Sequence, residues 1–249
     1  MDGLNGRAAI ITGAVSPIGS AIARELHARG AQLMLGDLEQ VKLSELADEL
    51  GAQSIVGDLG DEATSRQMIA QCMAHFGRID ILVNNAGGGV IRPFLEHDAE
   101  SLQTTMNRNL WTTIWACHAA LPHMLSAGFG RIVNIGADSV RNGLWDHAGY
   151  NAAKGGVHGL TTGIAREFAG SGVTINTVAP CMVATPMVKA AARQGNALIQ
   201  KFTDVIPKKT FLCRNFWAVV AFSFNQKSPK VSYQNWQQLP LVKKWSQLI

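Results

Sequence analysis

The strongest constraint on the fold is a strand, a glycine turn and a helix at the start of the chain. Residues 7–13 (RAAIITG) read as a short buried strand that stops at Gly13, and residues 17–19 (PIG) open a helix that runs to about Arg29. In this order the N–H groups of the helix N-terminus point at an anion, and a pyrophosphate is the usual one. An ordinary turn between a strand and a helix is the alternative.

The same order of strand and helix repeats along the chain. This repetition predicts a single-domain α/β fold over residues 1–249, a doubly wound parallel sheet with helices on both faces. Further strands are predicted at 32–37, 54–59, 79–87, 130–135 and 173–180, helices at 63–76 and 100–125, and a mobile helical flap over the strand ends at 182–200.

The end of the second predicted strand carries an acid, Asp37, about twenty residues beyond the glycine turn. A carboxylate there can accept both hydrogen bonds of an adenosine ribose diol and would repel a 2′-phosphate. No Arg or Lys follows until Lys42. The position therefore favours NAD over NADP, and a solvated acid at a strand end is the alternative.

A tyrosine and a lysine four residues apart, Tyr150 and Lys154, are the residues best placed to move a proton. On a helix this spacing puts both side chains on one face. A phenol with an ordinary pKa of about 10 is a poor base at neutral pH, but a neighbouring cation stabilises the phenolate and lowers that pKa. The pair predicts an acid/base site, and an incidental pair on a surface helix is the alternative.

Composition argues against several classes of partner. All 18 acidic residues precede residue 205, whereas seven of the 22 basic residues follow it, so the net charge of +4 belongs to the C-terminal stretch and gives weak support for nucleic-acid binding. No apolar run is long enough for a membrane span and no secretory leader is visible, so we expect a cytoplasmic protein. Widely spaced cysteines without a matching histidine predict reduced thiols and no metal site; they are Cys72, Cys117, Cys181 and Cys213.

Taken together, these motifs resemble those of the short-chain dehydrogenase/reductase family. Residues 12–19 (TGAVSPIG) match its TGxxxGxG turn, residues 84–87 its NNAG segment and residues 150–154 (YNAAK) its YxxxK pair. Asn109 matches the family's helix asparagine, and Pro180 with Thr185 matches its PGxxxT segment. The likeness covers residues 4 to about 190 in order and spacing.

The resemblance implies a Rossmann-like sheet and hydride exchange between a nicotinamide and an alcohol or ketone. Tyr150 would be the acid/base catalyst, and Lys154 would hold the nicotinamide ribose and lower the pKa of the phenol. Asn109 would hold a water in a proton relay. The other implied cofactor contacts lie in the turn, at strand ends and after the last strand: Gly13, Ser16, Pro17, Ile18, Asp37, Asp58, Leu59, Asn85, Ala86, Gly87, Pro180, Val183 and Thr185.

The chain departs from the family pattern in two glycines and one serine. Pro17 replaces the middle glycine of the turn, which a first helical position tolerates, with some loss of cofactor affinity expected. Cys181 replaces the glycine after Pro180. The substrate-orienting serine, thirteen residues before the tyrosine, is Ala137 here, and we predict that Ser139 takes its place. The alternatives are that Asp138 provides this hydrogen bond to the substrate, or that the bond is missing. Ser139 would then only cap a turn.

The C-terminal segment is also atypical. No glycine follows Gly195, whereas the family ends in an acidic helix and a glycine-rich turn. Residues 208–249 are therefore either divergent or carry a local sequence error over about residues 208–245.

We predict an NAD-dependent dehydrogenase for a secondary alcohol, a cyclic alcohol or dihydrodiol, with or without a carboxylate. Together, Arg92, Arg141 and His147 could bind a carboxylate; singly, each reads as a solvated loop residue. An NAD-binding sensor or scaffold without turnover and an NADP-linked carbonyl reductase are the alternatives. Apolar helices around Trp111 and after Tyr150 predict a homotetramer.

Overall fold

A computed structural model describes residues 3–204 of the protein, and there it confirms the predicted α/β fold. In this part of the chain six strands form one parallel sheet in the order β3-β2-β1-β4-β5-β6. Their bounds are β1 (Ala8–Thr12), β2 (Gln32–Asp37), β3 (Gln53–Val56), β4 (Ile81–Asn84), β5 (Gly130–Ile135) and β6 (Val173–Val178).

Helices cover both faces of this sheet. They are α1 (Pro17–Ala28), α2 (Gln40–Leu50), α3 (Glu62–Phe76), α4 (Ala99–Met106), α5 (Thr112–Ser126), α6 (Ser139–Asn142), α7 (Ala148–Glu167), α8 (Pro186–Arg193) and α9 (Ala197–Asp204). Alternate residues of each strand point to opposite faces. Ile10 accordingly packs in the core that α3 and α5 cover, and Ile11 in the core that α1 and α2 cover.

The strand order places the site at the carboxyl ends of the central strands. Strand β1 pairs with β2 on one side and with β4 on the other, so the chain reverses its direction of winding at β1. Ligands of doubly wound sheets bind in the crevice at the carboxyl ends of the strands beside this switch point. The residues that follow β1, β2 and β4 meet at that edge.

Three elements differ from the sequence prediction. The predicted helix 100–125 is α4 and α5 joined by a π-helical segment, Asn107–Trp111. The predicted strand 54–59 already ends at Val56, because the chain turns at Gly57 and the Asp58 carboxylate accepts a hydrogen bond from the Gly60 N–H at 2.8 Å. Helix α2 has no predicted counterpart, and the predicted flap at 182–200 corresponds to α8 and α9.

Residues 208–249, including Cys213, lie outside the described range. Between residues 3 and 204, none of the helices is both long and apolar enough to cross a membrane. The three cysteines of this range are free thiols, and burial raises the pKa of Cys72 and of Cys117 to about 12.

Candidate active site

The glycine turn after β1 and the segment after β4 form one rigid unit. The Asn85 amide donates to the carbonyl oxygens of Thr12 and Gly13 at 3.1 and 2.8 Å and to Ser16 Oγ at 3.0 Å. In return, Thr12 Oγ1 accepts from the N–H groups of Asn85 and Ala86 at 3.0 and 2.9 Å. Two motifs more than seventy residues apart in sequence are thus fixed to one another at the switch point.

The turn also explains why glycine is required at two of its positions. Gly13 has φ of +62°, and a Cβ there would lie 2.7 Å from the Ala86 Cα. A Cβ on Gly19 would lie 2.2 Å from the Gly13 carbonyl oxygen. The backbone of α1 therefore approaches β1 too closely for any side chain.

Pro17 occupies the first position of α1, as predicted, where it needs no hydrogen-bond partner for an N–H. Ser16 caps the helix by accepting from the Gly19 N–H at 3.0 Å. Ile18 is half-buried beside them. The helix N-terminus, with its partial positive charge, thus faces the crevice beside the glycine turn.

Asp37 lies next to this turn. Its carboxylate accepts from the Val15 N–H at 3.0 Å, from the Leu38 N–H at 2.7 Å and from the Glu39 N–H at 3.2 Å. These three bonds hold the carboxylate at the end of β2. Lys42, the first basic residue after β2, ion-pairs with Glu39 at 3.3 Å.

Asp58 and Leu59 follow β3 at the same edge of the sheet. The Leu59 side chain is buried in the core, and its carbonyl oxygen accepts from Ser65 Oγ at 2.8 Å. The cofactor contacts predicted for Asp58 and Leu59 stay predictions.

Tyr150 and Lys154 lie in the first turns of α7, on the face that meets the loop after β4. A Cβ on Gly87 would lie 2.8 Å from Asn109 Oδ1 and 3.1 Å from Lys154 Nζ, and a Cβ on Gly89 would lie 3.2 Å from the Tyr150 ring. Residues 87–89 therefore lie close to three of the four predicted catalytic side chains. This loop brings Asn109, Tyr150 and Lys154 together.

Burial sets the pKa of both members of the pair. Lys154 is buried and donates from Nζ to the Ile135 carbonyl oxygen at 2.8 Å, and burial lowers its pKa to about 8. Its Nζ lies 6.0 Å from the centre of the Tyr150 ring. Burial raises the pKa of Tyr150 to about 12. The direction is opposite to the expected lowering of the phenol pKa, because burial disfavours the charged phenolate.

Asn109 lies inside the π-helical segment and is fully buried. Its amide donates to the Gly88 carbonyl oxygen at 2.7 Å and to the Thr105 carbonyl oxygen at 2.8 Å, and its Oδ1 accepts from the Gly88 N–H at 3.2 Å. π-Helical turns within α-helices occur frequently at functional sites. Here the turn carries the side chain that anchors the loop beside Tyr150 and Lys154.

Ser139 lies at the start of α6, and its hydroxyl donates to Asn151 Oδ1 at 2.6 Å. The Asp138 carboxylate accepts from Asn142 at 3.0 Å, and its N–H donates to the Pro180 carbonyl oxygen at 3.1 Å. Ala137 is buried. Asn151, which follows the tyrosine directly, had not been predicted as a site residue; a polar side chain next to Tyr150 is the one sequence signal for it.

The segment after β6 runs into the flap. The Val183 carbonyl oxygen accepts from the Thr185 N–H at 2.7 Å, and Thr185 Oγ1 caps α8 by accepting from the Val188 N–H at 3.2 Å. Helix α9 contributes Phe202, which is buried, with its ring 5.1 Å from that of His147. The flap therefore packs on the loop that leads into α7.

The three predicted substrate residues occupy different elements. His147 contacts Tyr150, with ring centres 5.8 Å apart. Arg92 is half-buried in the loop after β4 and donates to the Glu96 carbonyl oxygen at 3.4 Å. Arg141 lies in α6. His147 is thus in direct contact with a predicted catalytic side chain.

A sequence profile of the family described as short chain dehydrogenase matches residues 7–196. The chain belongs to this family. The short-chain dehydrogenases use a nicotinamide cofactor, and the chain is an oxidoreductase.

Two relatives and two solved structures define this likeness further. The chain is 50% identical over 210 residues, 82% of this chain and 81% of the relative, to 2,3-dihydroxy-2,3-dihydro-p-cumate dehydrogenase of Pseudomonas putida. It is 38% identical over 180 residues, 70% of this chain and 66% of the relative, to 1,6-dihydroxycyclohexa-2,4-diene-1-carboxylate dehydrogenase of the same species. Levodione reductase superposes with a TM-score of 0.82 at 30% identity, covering 92% of this chain and 94% of that one. The structure of an actinorhodin polyketide ketoreductase variant with NADPH superposes with a TM-score of 0.82 at 27% identity, covering 91% of this chain and 93% of that one.

A chain of buried polar side chains also ties α7, the helix of Tyr150 and Lys154, to the sheet. The Asn84 amide donates to Asn134 Oδ1 at 2.8 Å, and the Asn134 amide donates to Thr161 Oγ1 at 2.9 Å. Thr161 in turn lies 2.7 Å from Thr177 Oγ1. Three strands and α7 are thereby joined in fixed register beneath the site, although no single motif in the sequence indicated it.

Proposed function

We propose that this short-chain dehydrogenase oxidises one secondary alcohol of a cyclic dihydrodiol with NAD. The observation that carries the reaction is the convergence of Tyr150, Lys154 and Asn109 on the loop 87–89 at the switch point. The substrate class is supported by the names of the two Pseudomonas putida relatives, both of which are dehydrogenases of dihydroxylated rings.

The residues present fit a dinucleotide. Gly13 and Gly19 have no room for a Cβ, so the turn packs tightly in front of the α1 N-terminus, whose N–H groups suit a pyrophosphate. Lys154 is a buried cation with one assigned acceptor, the Ile135 carbonyl oxygen, although an ammonium has three N–H donors. A ribose hydroxyl would give it a second partner. The remaining contacts would come from the strand ends and the segment after β6: Ser16, Pro17, Ile18, Asp37, Asp58, Leu59, Asn85, Ala86, Gly87, Pro180, Val183 and Thr185.

The choice of NAD over NADP rests on charge at the end of β2. Three backbone N–H groups hold the Asp37 carboxylate beside the glycine turn, where it would repel a 2′-phosphate. The nearest following cation, Lys42, is paired with Glu39. These contacts provide no unpaired positive charge after β2 for a 2′-phosphate.

Tyr150 would accept the substrate's hydroxyl proton, and a bound nicotinamide would supply the hydride acceptor. With a pKa near 12 set by burial, the phenol needs a nearby positive charge to act as a base at neutral pH. Lys154 is the cation on the same face of α7, and Asn109 would hold the relay that returns the proton to solvent. Ser139, which already donates to Asn151, can still accept a hydrogen bond from a substrate hydroxyl. Arg92 and Arg141 would serve a carboxylated ring.

A substrate and cofactor panel tests the proposal. Purified protein would be assayed with cis-dihydrodiols, their carboxylated analogues, cyclic mono-alcohols and hydroxy acids, each with NAD and with NADP. We expect the highest kcat/KM for cyclic diols, and at least about a tenfold preference for NAD, which equals roughly 1.4 kcal/mol. Equal kcat/KM values for NAD and NADP would refute the assignment of cofactor discrimination to Asp37. Turnover of mono-alcohols alone would refute the diol assignment.

A further inference from the structure

The His147 side chain is fixed from three directions on the loop before α7. Its Nδ1 lies 2.6 Å from the Trp145 carbonyl oxygen. Its ring meets that of Tyr150 edge-on, with centres 5.8 Å apart, and that of Phe202 edge-on at 5.1 Å. Aromatic pairs favour this perpendicular arrangement, so the ring is held in place next to the catalytic phenol.

The backbone of this loop creates the first of these contacts. Asp146 has φ of +64°, a left-handed conformation that aspartate adopts more readily than most residues. The chain therefore folds back sharply between Trp145 and His147. This turn brings the Trp145 carbonyl oxygen against the imidazole two residues further on.

The contact with Trp145 determines which nitrogen carries the proton. A carbonyl oxygen only accepts hydrogen bonds, so Nδ1 is the N–H donor of His147. In the neutral imidazole the lone pair then resides on Nε2. The loop thus presents a fixed hydrogen-bond acceptor beside Tyr150, at a site where the Ser139 hydroxyl proton is already given to Asn151.

We propose that His147 Nε2 accepts a hydrogen bond from the second hydroxyl of the diol and so determines the preference for diols over mono-alcohols. This inference rests on the proposed dihydrodiol dehydrogenase function. The reacting hydroxyl lies at Tyr150, and the second hydroxyl, on the neighbouring ring carbon, meets the imidazole. Phe202 of α9 is a positioning residue, because its ring packs edge-on against that of His147.

The test compares a cis-vicinal cyclohexanediol with cyclohexanol in wild type and in His147→Phe. Phenylalanine keeps the ring contacts with Tyr150 and Phe202 but removes the acceptor. We expect the diol-to-mono-alcohol ratio of kcat/KM to fall at least about tenfold, the cost of leaving one hydroxyl without a partner. His147→Gln, whose amide oxygen accepts, should restore part of the ratio.

His123→Phe, an exposed histidine of α5, is the matched control and should leave the ratio unchanged. An unchanged ratio in His147→Phe would overturn the inference while leaving the dehydrogenase function intact. So would a wild-type enzyme that oxidises cyclohexanol as well as the diol. Wild-type protein that binds NAD and oxidises neither these two compounds nor a cis-dihydrodiol would instead overturn the proposed function, and this inference with it.

Discussion

Replacing Lys154 with methionine should make the protein more stable at neutral pH and catalytically inactive. The ammonium is buried and donates a hydrogen bond to the Ile135 carbonyl oxygen. Burying a cation in this way is costly, and methionine has similar length without a charge. The site therefore sacrifices stability to hold a cation beside Tyr150, as active sites often do.

The lowered pKa of Lys154 gives the size of this cost. Burial lowers it from 10.5 to about 8, and each pKa unit corresponds to about 1.4 kcal/mol, so holding the charge costs about 3 kcal/mol. Methionine loses the bond to the Ile135 carbonyl oxygen, worth on the order of 1 to 2 kcal/mol. The net gain for Lys154→Met is then on the order of 1 to 2 kcal/mol, or roughly 2 to 8 °C in Tm for a domain of this size.

The pH dependence distinguishes this cause from simple repacking. The pKa of Lys154 is lower in the folded protein than in the unfolded chain, so between pH 8 and 10.5 the unfolded chain binds more protons. Wild-type stability should therefore rise with pH through this window, whereas that of Lys154→Met should not. The gap in Tm should be largest below pH 8 and close towards pH 10.5.

Thermal unfolding of both proteins without cofactor, at one protein concentration and several pH values, provides the measurement. Lys189→Met, which removes an exposed lysine of α8, is the control and should shift Tm little at any pH. A Lys154→Met protein that is less stable than wild type at pH 7, or a gap that does not change with pH, would refute the reasoning.

Three further predictions follow from the same contacts. Gly19→Ala should abolish cofactor binding and lower Tm sharply, because its Cβ would collide with the Gly13 carbonyl oxygen. The control is Gly159→Ala in α7, where a Cβ meets nothing within 4 Å. This control should raise the free energy of unfolding by roughly 0.5 to 1 kcal/mol, measured by thermal unfolding. Ser139→Ala should lower kcat for diol oxidation about tenfold if the hydroxyl meets substrate; an unchanged kcat with lowered Tm would assign it only to the bond with Asn151. Light scattering should give a tetramer at micromolar concentration, since Trp111 leaves an apolar surface exposed on the helix pair α4–α5; a stable monomer would contradict this.

The sequence was sufficient where the signal is local. Apolar runs bounded by glycine predicted the strands, and the order of strand, glycine turn and helix around Gly13 is the one that the structure contains. The spacing of Tyr150 and Lys154 predicted that both side chains share one face of a helix, and both lie close to residues 87–89. Each of these features depends on residues a few positions apart, so the periodicity of helix and strand determines it.

Features that depend on tertiary environment were missed. The pKa of Tyr150 was expected to fall because of Lys154, but burial and the carbonyl partner of Lys154 come from distant parts of the chain. The side chain of Asn109, within the π-helical segment, bonds to Gly88 in a loop about twenty residues away. The contact of His147 with Phe202 depends on how the flap packs, which no local pattern encodes.

The central claim is that Tyr150 moves the proton in a diol oxidation. Its most direct test compares kcat and the Kd for NAD between wild type and Tyr150→Phe. Phenylalanine retains the ring that packs against Gly89 and His147 but has no transferable proton. We predict a loss of at least about a hundredfold in kcat for NADH formation from a cis-dihydrodiol, with the Kd for NAD nearly unchanged. A wild-type protein that binds NAD without turnover on any alcohol, with Tyr150→Phe indistinguishable from it, would contradict the account and favour a dinucleotide-binding scaffold.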